Sequence, residues 1–234
     1  GVLTCALPIS PGFRAVYEEE RNMKQFLKTL KGAVVLTVLM AVLSSVIYPA
    51  VTTVLAQTVF KEKADGSLIY ADGKAVGSEV VGQQWSNPRF FKGRPSSVNY
   101  NVYTDEEKAD GTYTGVASGT YNYGPSNEAL KERVETAVTE FKAEYKKATG
   151  EELTEEIPTD LLTASGSGLD PHISPASAKI QVPIVAANTG FEEEELYQMV
   201  EAHTEHKALG IFGEERVNVL KLNLDLARKL GVTA

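Results

Sequence analysis

The densest run of chemically capable side chains lies between Thr163 and Ser174, reading Thr-Ala-Ser-Gly-Ser-Gly-Leu-Asp-Pro-His-Ile-Ser. Ser167, Asp170 and His172 are the types that supply a nucleophile, a base and the acid orienting that base, so a membrane-anchored, exported hydrolase could be built from them. The spacing argues against it. No Gly-x-Ser-x-Gly elbow is present, and a nucleophile, base and acid drawn from eight residues of one loop rarely converge. The competing reading is a loop bent by Gly166 and Gly168, with Asp170 and Ser174 capping backbone amides. Ser165 to Gly168 could also form a backbone nest for an anion. No lysine stands near it, and neither Gly-x-x-x-x-Gly-Lys-Ser/Thr nor Gly-x-Gly-x-x-Gly occurs.

Two other groupings offer chemistry. His203 and His206 form a His-x-x-His pair beside Glu201 and Glu205, and residues three apart share a helix face, so one zinc could meet both imidazoles. Only His172 is left as a third imidazole, and exposed histidines on an acidic helix are commonly plain surface residues; no metal site is assigned. Arg89, Lys92 and Arg94 stand among Trp85, Phe90 and Phe91, a composition that suits an anion, a lipid headgroup or a partner interface, and equally a local core loop with its charges in water. Cys5 is the single cysteine, so neither an intrachain disulfide nor a thiolate metal cluster can form.

These groups must be held by something, and the charge pattern divides the chain. Gly32 to Phe60 is a run of 29 residues without Asp, Glu, Lys or Arg, longer than the roughly 20 apolar residues of helix that cross a bilayer. Arg21, Lys24, Lys28 and Lys31 precede it, and flanking positive charge stays in the cytoplasm. The expected layout is an extension over 1–22 outside the fold, a basic cytoplasmic segment over 23–31, a transmembrane helix over 32–56 bent or ended near Pro49, and an exported domain over 57–234. A cleaved signal peptide, with small residues at Val54 and Ala56, is the alternative; it exports the same domain. Residues 57–234 hold 18 basic and 28 acidic side chains, a net of −10, which excludes a nucleic-acid binder, since phosphate neutralisation needs the opposite sign.

The domain reads as α+β. Asp72-Gly73 predicts a hairpin inside 66–82, and the Tyr/Gly-rich stretch 111–124 a loop or edge strand. Leu130, Val134, Phe141 and Tyr145 predict a helix over 127–148 capped by Ser126 or Asn127. Residues 150–156 read as a solvated acidic connector. A helix is expected from Ser174-Pro175 to Ala187, bent at Pro183, and another after Gly190 with four glutamates in its first turn. The last leucine-rich segment fits both a helix and a strand, and its length, Lys and Arg favour helix.

Taken in order, the basic N-terminus, single span, GSEVVGQ, FFKGRPS, SGTYNYGPSN, IPTDLLTASGSGLDPHISPASAKIQVP and LGIFGEERVNVLKLNLDL resemble the KdpC family, a subunit of the bacterial high-affinity potassium-transporting ATPase, over about residues 23–230. Ile184 stands where that family usually has arginine, and Tyr121, Asn122 and Tyr123 replace its Ser-Asn-Leu piece. The resemblance implies a non-catalytic accessory subunit of the plasma (inner) membrane. Its partners would be a channel-like potassium-translocating subunit, a P-type ATPase subunit carrying the phosphorylated aspartate, a small single-span subunit and the lipid bilayer. It implies roles in assembly and in raising ATP affinity. ATP would enter through the partner ATPase subunit, and no cofactor is assigned to this chain. An exported domain has no access to cytoplasmic ATP, so that role conflicts with the orientation read from charge. The resemblance implies partner or nucleotide association for Ser165, Gly166, Ser167, Gly168, Leu169, Asp170, Pro171, His172 and Gln181, and partner docking for Arg89, Phe90, Phe91, Arg94 and Asn218.

Overall fold

The computed structural model describes residues 11–113 and 115–232, with side chains from 19 onward. It divides into two units, 1–64 and 65–234.

The first unit is helical. Helix α1 (Pro11–Val42) passes through a π-helical turn, Leu43–Ile47, into α2 (Tyr48–Val59), followed by the short α3 (Lys61–Ala64). The expected extension over 1–22 is helical from 11 onward, as its Ala, Glu and Arg content allows; residues 1–10 lie outside the described residues. Pro49 does not end the helix. It sits in the first turn of α2, and the preceding turn loosens so that Tyr48 N–H bonds the Leu43 carbonyl five residues back. Proline cannot donate and its ring crowds the carbonyl four residues earlier; a π turn absorbs both defects. Glu19–Val59 has a mean hydropathy of 2.3 in its most apolar window, none of which is buried. It is the one helix among the described residues long and apolar enough to cross a membrane.

The second unit opens with strands β1 (Leu68–Ala71) and β2 (Lys74–Ser78), paired antiparallel with a bulge between Ile69 and Tyr70. Asp72 and Gly73 both take positive φ, 50° and 76°, as a tight two-residue hairpin turn requires. A long irregular segment then leads to the short α4 (Asp105–Ala109), closed by a capping box between Thr104 and Glu107. Residues 111–124 contain no strand among those described. Helix α5 (Glu128–Thr149) is capped by Asn127, which accepts from Ala129 N–H, and is ended by Gly150 in the left-handed region. The connector after it is not wholly solvated. Leu153 and Ile157 are buried with Ile180 against Phe141 and Tyr145 of α5, because an acidic stretch with one leucine can still turn that leucine inward.

Next come α6 (Thr159–Leu162), the glycine loop, and β3 (His172–Ile173). The single bent helix expected from Ser174 is two helices, α7 (Pro175–Lys179) and α8 (Val182–Thr189), with Pro183 in the first turn of the second. A proline at that position is pre-set for a new helix start rather than for a bend. Helix α9 (Glu193–Ala202) leads through β4 (Thr204–Glu205) to β5 (Arg216–Asn218) and α10 (Val219–Lys229). The strands form an antiparallel sheet in the order β3-β5-β4.

Helix α10 explains why its sequence fitted two periods. Leu222 and Leu226 are fully buried in the main core with Phe91, Val182, Val185, Leu196, Val200 and Val217. Leu220 and Leu224 lie beneath the hairpin and line a space with Val76, Trp85 and Phe90. Covering a helix on two sides makes every second residue apolar, which mimics a strand.

Candidate functional site

The glycine loop is held by side chains rather than by a ladder. Ser165 Oγ accepts from Gly168 N–H at 2.9 Å, and Ser167 Oγ from Leu169 N–H at 3.1 Å. The amides of Gly168 and Leu169 are thus met within the loop. Its carbonyls are met from the opposite wall. Ser96 Oγ donates to Gly168 O, Gly119 N–H and Ser118 Oγ donate to Ser167 O, and Gly82 N–H donates to Leu169 O. Close approach explains two of the glycines. A Cβ on Gly82 would lie 2.5 Å from the Asp170 carbonyl oxygen and 2.7 Å from the Tyr100 ring, and one on Gly168 (φ 68°) 2.9 Å from the Gly119 oxygen. Gly166 meets no such wall.

Asp170 is the electrostatic centre. Arg94 Nη1 donates to its Oδ2 at 3.3 Å, and His172 N–H donates to its Oδ1 at 3.0 Å. Burial pushes this carboxyl up, but the His172 side chain and amide and the Arg94 guanidinium outweigh it and hold it below the ordinary carboxylate range. Arg94 Nη2 also donates to the Thr163 and Ala164 carbonyls, so one fork ties the loop's start to its middle. Tyr100 closes the arrangement. Its hydroxyl donates to Arg94 O at 2.6 Å, and burial first, then the Asp170 charge, push its pKa up to about 12.

The triad types are present but not arranged as a triad. His172 Nδ1 lies 3.6 Å from Asp170 Oδ1, and its Nε2 accepts from Asn218 Nδ2 at 3.5 Å. No hydrogen bond joins Ser167 to His172 among the described residues. Pro171 is buried, and its carbonyl accepts from Val219 N–H where β3 meets the start of α10.

Of the residues offered for docking, two face inward. Phe91 is fully buried in the core, and Asn218, 1 % exposed, donates to Glu79 O and caps α10 by accepting from Lys221 N–H. Phe90 packs on Trp85 at 5.2 Å between ring centroids, and Arg89 offers its amide to Asn87 Oδ1. Gln181 is 3 % exposed and reads the Lys92 peptide from both ends, accepting from its N–H at 2.8 Å and donating to its carbonyl at 3.2 Å. The histidine pair does not converge either: His203 Nδ1 lies 2.8 Å from Met199 O, and His206 Nδ1 lies 2.8 Å from Glu215.

Three residues that hold this region escaped sequence reasoning. Asn223, fully buried, does for Phe91 what Gln181 does for Lys92: Phe91 N–H donates to its Oδ1 at 2.9 Å, and its Nδ2 donates to Phe91 O at 2.8 Å. Its signal was a lone amide amid leucines. Asp160 accepts from Ser174 N–H, Ser174 Oγ and Ser177 Oγ, and Tyr100 bridges as described; neither carries a local pattern.

The arrangement is a polar scaffold in which Arg94, Asp170, His172 and Tyr100 bond one another and the loop's backbone. The family model described as KdpC, the c chain of the K+-transporting ATPase, matches residues 30–228. A potassium-transporting ATPase KdpC subunit of Clostridioides difficile is 48 % identical over 211 residues, covering 88 % of this chain and all of its own length. That of Clostridium kluyveri is 46 % identical over 210 residues, covering 90 % and 98 %, and that of Bacillus cytotoxicus is 43 % identical over 204, covering 87 % and 97 %. With a family model over most of its length and relatives 43–48 % identical across nearly the whole of theirs, the chain belongs to the KdpC family of K+-transporting ATPase subunits.

Proposed function

We propose that this chain is a non-catalytic, single-span accessory subunit that assembles with the channel-like and P-type ATPase subunits of a potassium pump and stabilises them. The observation that carries the reading is the helix Glu19–Val59, whose apolar side chains have no cover of their own. Lipid and neighbouring spans are the surfaces such a helix meets, and Ser44, Ser45, Thr52 and Thr53 allow close approach along it. Thr52 already returns its hydroxyl to the Tyr48 carbonyl, so it enters lipid satisfied. The basic residues before the span support a cytoplasmic N-terminus and a domain on the outer face. On that topology any effect on ATP affinity passes through the partner's transmembrane segments, not through direct contact with nucleotide.

The experiment is purification of the tagged full-length chain in detergent from a host expressing the ATPase subunits, beside His172→Ala. Co-purification with the ATPase subunit and potassium-dependent ATP hydrolysis by the complex is the expected result. A chain that purifies alone and hydrolyses an ester or peptide, with that activity lost in His172→Ala, would replace this reading with the exported hydrolase.

A further inference from the structure

The loop over 207–213, between β4 and β5, turns three large apolar side chains into water. Leu209 is 88 % exposed, Ile211 75 % and Phe212 64 %. Single exposed apolar residues are ordinary, but three within four positions of one loop form a patch, and such patches mark contact surfaces. The loop is closed on itself. Ala208 and Phe212 exchange backbone hydrogen bonds at 2.8 and 2.9 Å, and Gly210 N–H donates to Lys207 O at 2.9 Å. Its neck is bridged by Lys207 with Glu214 at 3.2 Å, His206 with Glu215 at 2.8 Å and Arg216 with Glu205 at 2.9 Å.

The tip repeats a turn used elsewhere in the chain, with one residue changed in kind. Leu209 and Gly210 take φ of 54° and 75°, and Asp72 and Gly73 of the β1–β2 hairpin take 50° and 76°. Aspartate tolerates the left-handed region, whereas leucine is strained there by its Cβ against the backbone. Lying almost wholly in water, Leu209 cannot offset that strain by packing within this chain. Strain held at an exposed position points to a use for the side chain outside the fold.

The rim decides what covers the tip. A loop that enters a bilayer carries free Lys or Arg for anionic headgroups and Trp or Tyr at their level. Here Lys207 and Arg216 are held by Glu214 and Glu205, and the loop has neither Trp nor Tyr. Three glutamates against one lysine and one arginine leave residues 205–216 at −1 with His206 neutral. That charge is repelled by an anionic membrane and suits a protein surface.

We propose that Leu209, Ile211 and Phe212 form a docking knob that seats in an apolar socket on a neighbouring subunit of the ATPase complex. The proposal rests on the accessory-subunit reading and adds the point at which the domain makes its contact. The turn is formed before the partner arrives, so docking orders little.

The test uses the full-length chain co-expressed with the ATPase subunits and purified in detergent. With the photocrosslinker p-benzoylphenylalanine in place of Phe212, irradiation should give an adduct with one other subunit. The double variant Leu209→Asn/Phe212→Ser should lower recovery of the ATPase subunits about tenfold. Leu209→Asn alone, which suits the turn, should leave the domain's melting midpoint unchanged or higher, where a merely structural leucine would lower it. A phospholipid adduct, an adduct with a second copy of this chain, no adduct, a lowered midpoint, or full recovery with the double variant overturns the knob while the accessory-subunit reading stands. A wild-type chain that purifies without the ATPase subunits overturns both.

Discussion

The spanning helix and the glycine loop meet one requirement by opposite means. Each must satisfy its backbone polar groups, the helix because lipid offers no partners and the loop because it is packed against other chain. The helix does so entirely within itself, and even the defect at Pro49 is repaired one turn away by the Tyr48-to-Leu43 bond. The loop borrows. Its bonds come from Ser96, Ser118, Gly82 and Arg94, 49 to 87 residues distant in sequence. A locally satisfied element tolerates changes elsewhere in the chain, whereas a borrowed one inherits every lender's weakness.

The sharpest way to break that contrast is Asn223→Ala. It leaves the fully buried Phe91 N–H and carbonyl unmet, at about 3–5 kcal/mol for two orphaned groups. Urea unfolding of the full chain followed by Trp85 fluorescence should show a loss of that size while membrane integration is unchanged. A loss under 1 kcal/mol would mean that the Phe91 peptide finds other partners, and that the domain is less interdependent than its bonds imply. The converse variant is Leu39→Arg, at about 3 kcal/mol for a charge near the middle of a span. It should lower the fraction of chain resisting carbonate extraction and leave the domain's unfolding midpoint where it was.

The same contrast decides what was legible in the sequence. The span could be read because 29 charge-free residues behind a basic flank are a local signal. The hairpin at Asp72-Gly73, the Asn127 cap and the Ser174-Pro175 start were readable for the same reason, each being settled within four residues. The capping box at Thr104 and Glu107 was equally local and was overlooked beside its charged neighbours. What could not be read depended on distance. Phe91 looked like a docking aromatic until α10 closed over it, and nothing around Asp160 foretells two serines 14 and 17 residues on. The triad types in the loop were identified correctly as types; only the fold shows that His172 turns between Asp170 and Asn218.

The smallest effect concerns pH and Tyr100. Its hydroxyl donates to the Arg94 carbonyl, so the fold uses the neutral form, and its pKa is raised from 10 to about 12. A raised value means the contribution is whole below the unfolded pKa near 10 and is lost as pH climbs through about 12. Asp170 runs the other way. Its value is depressed, so its support is whole above the unfolded value near 3.8 and disappears as pH falls through the lower folded one. The loop's clamp thus fails at both extremes through the two groups that flank Arg94, while the charge-free span offers pH no comparable handle. At neutral pH, Tyr100→Phe should cost about 1 kcal/mol, one hydrogen bond. In tyrosinate absorbance it should remove a late-titrating member of the ten tyrosines, leaving Tyr145 and Tyr197, which burial also raises. If the wild-type minus variant difference instead rises near pH 10, Tyr100 is solvated, and the loop's wall is looser than the contacts at Gly82 require.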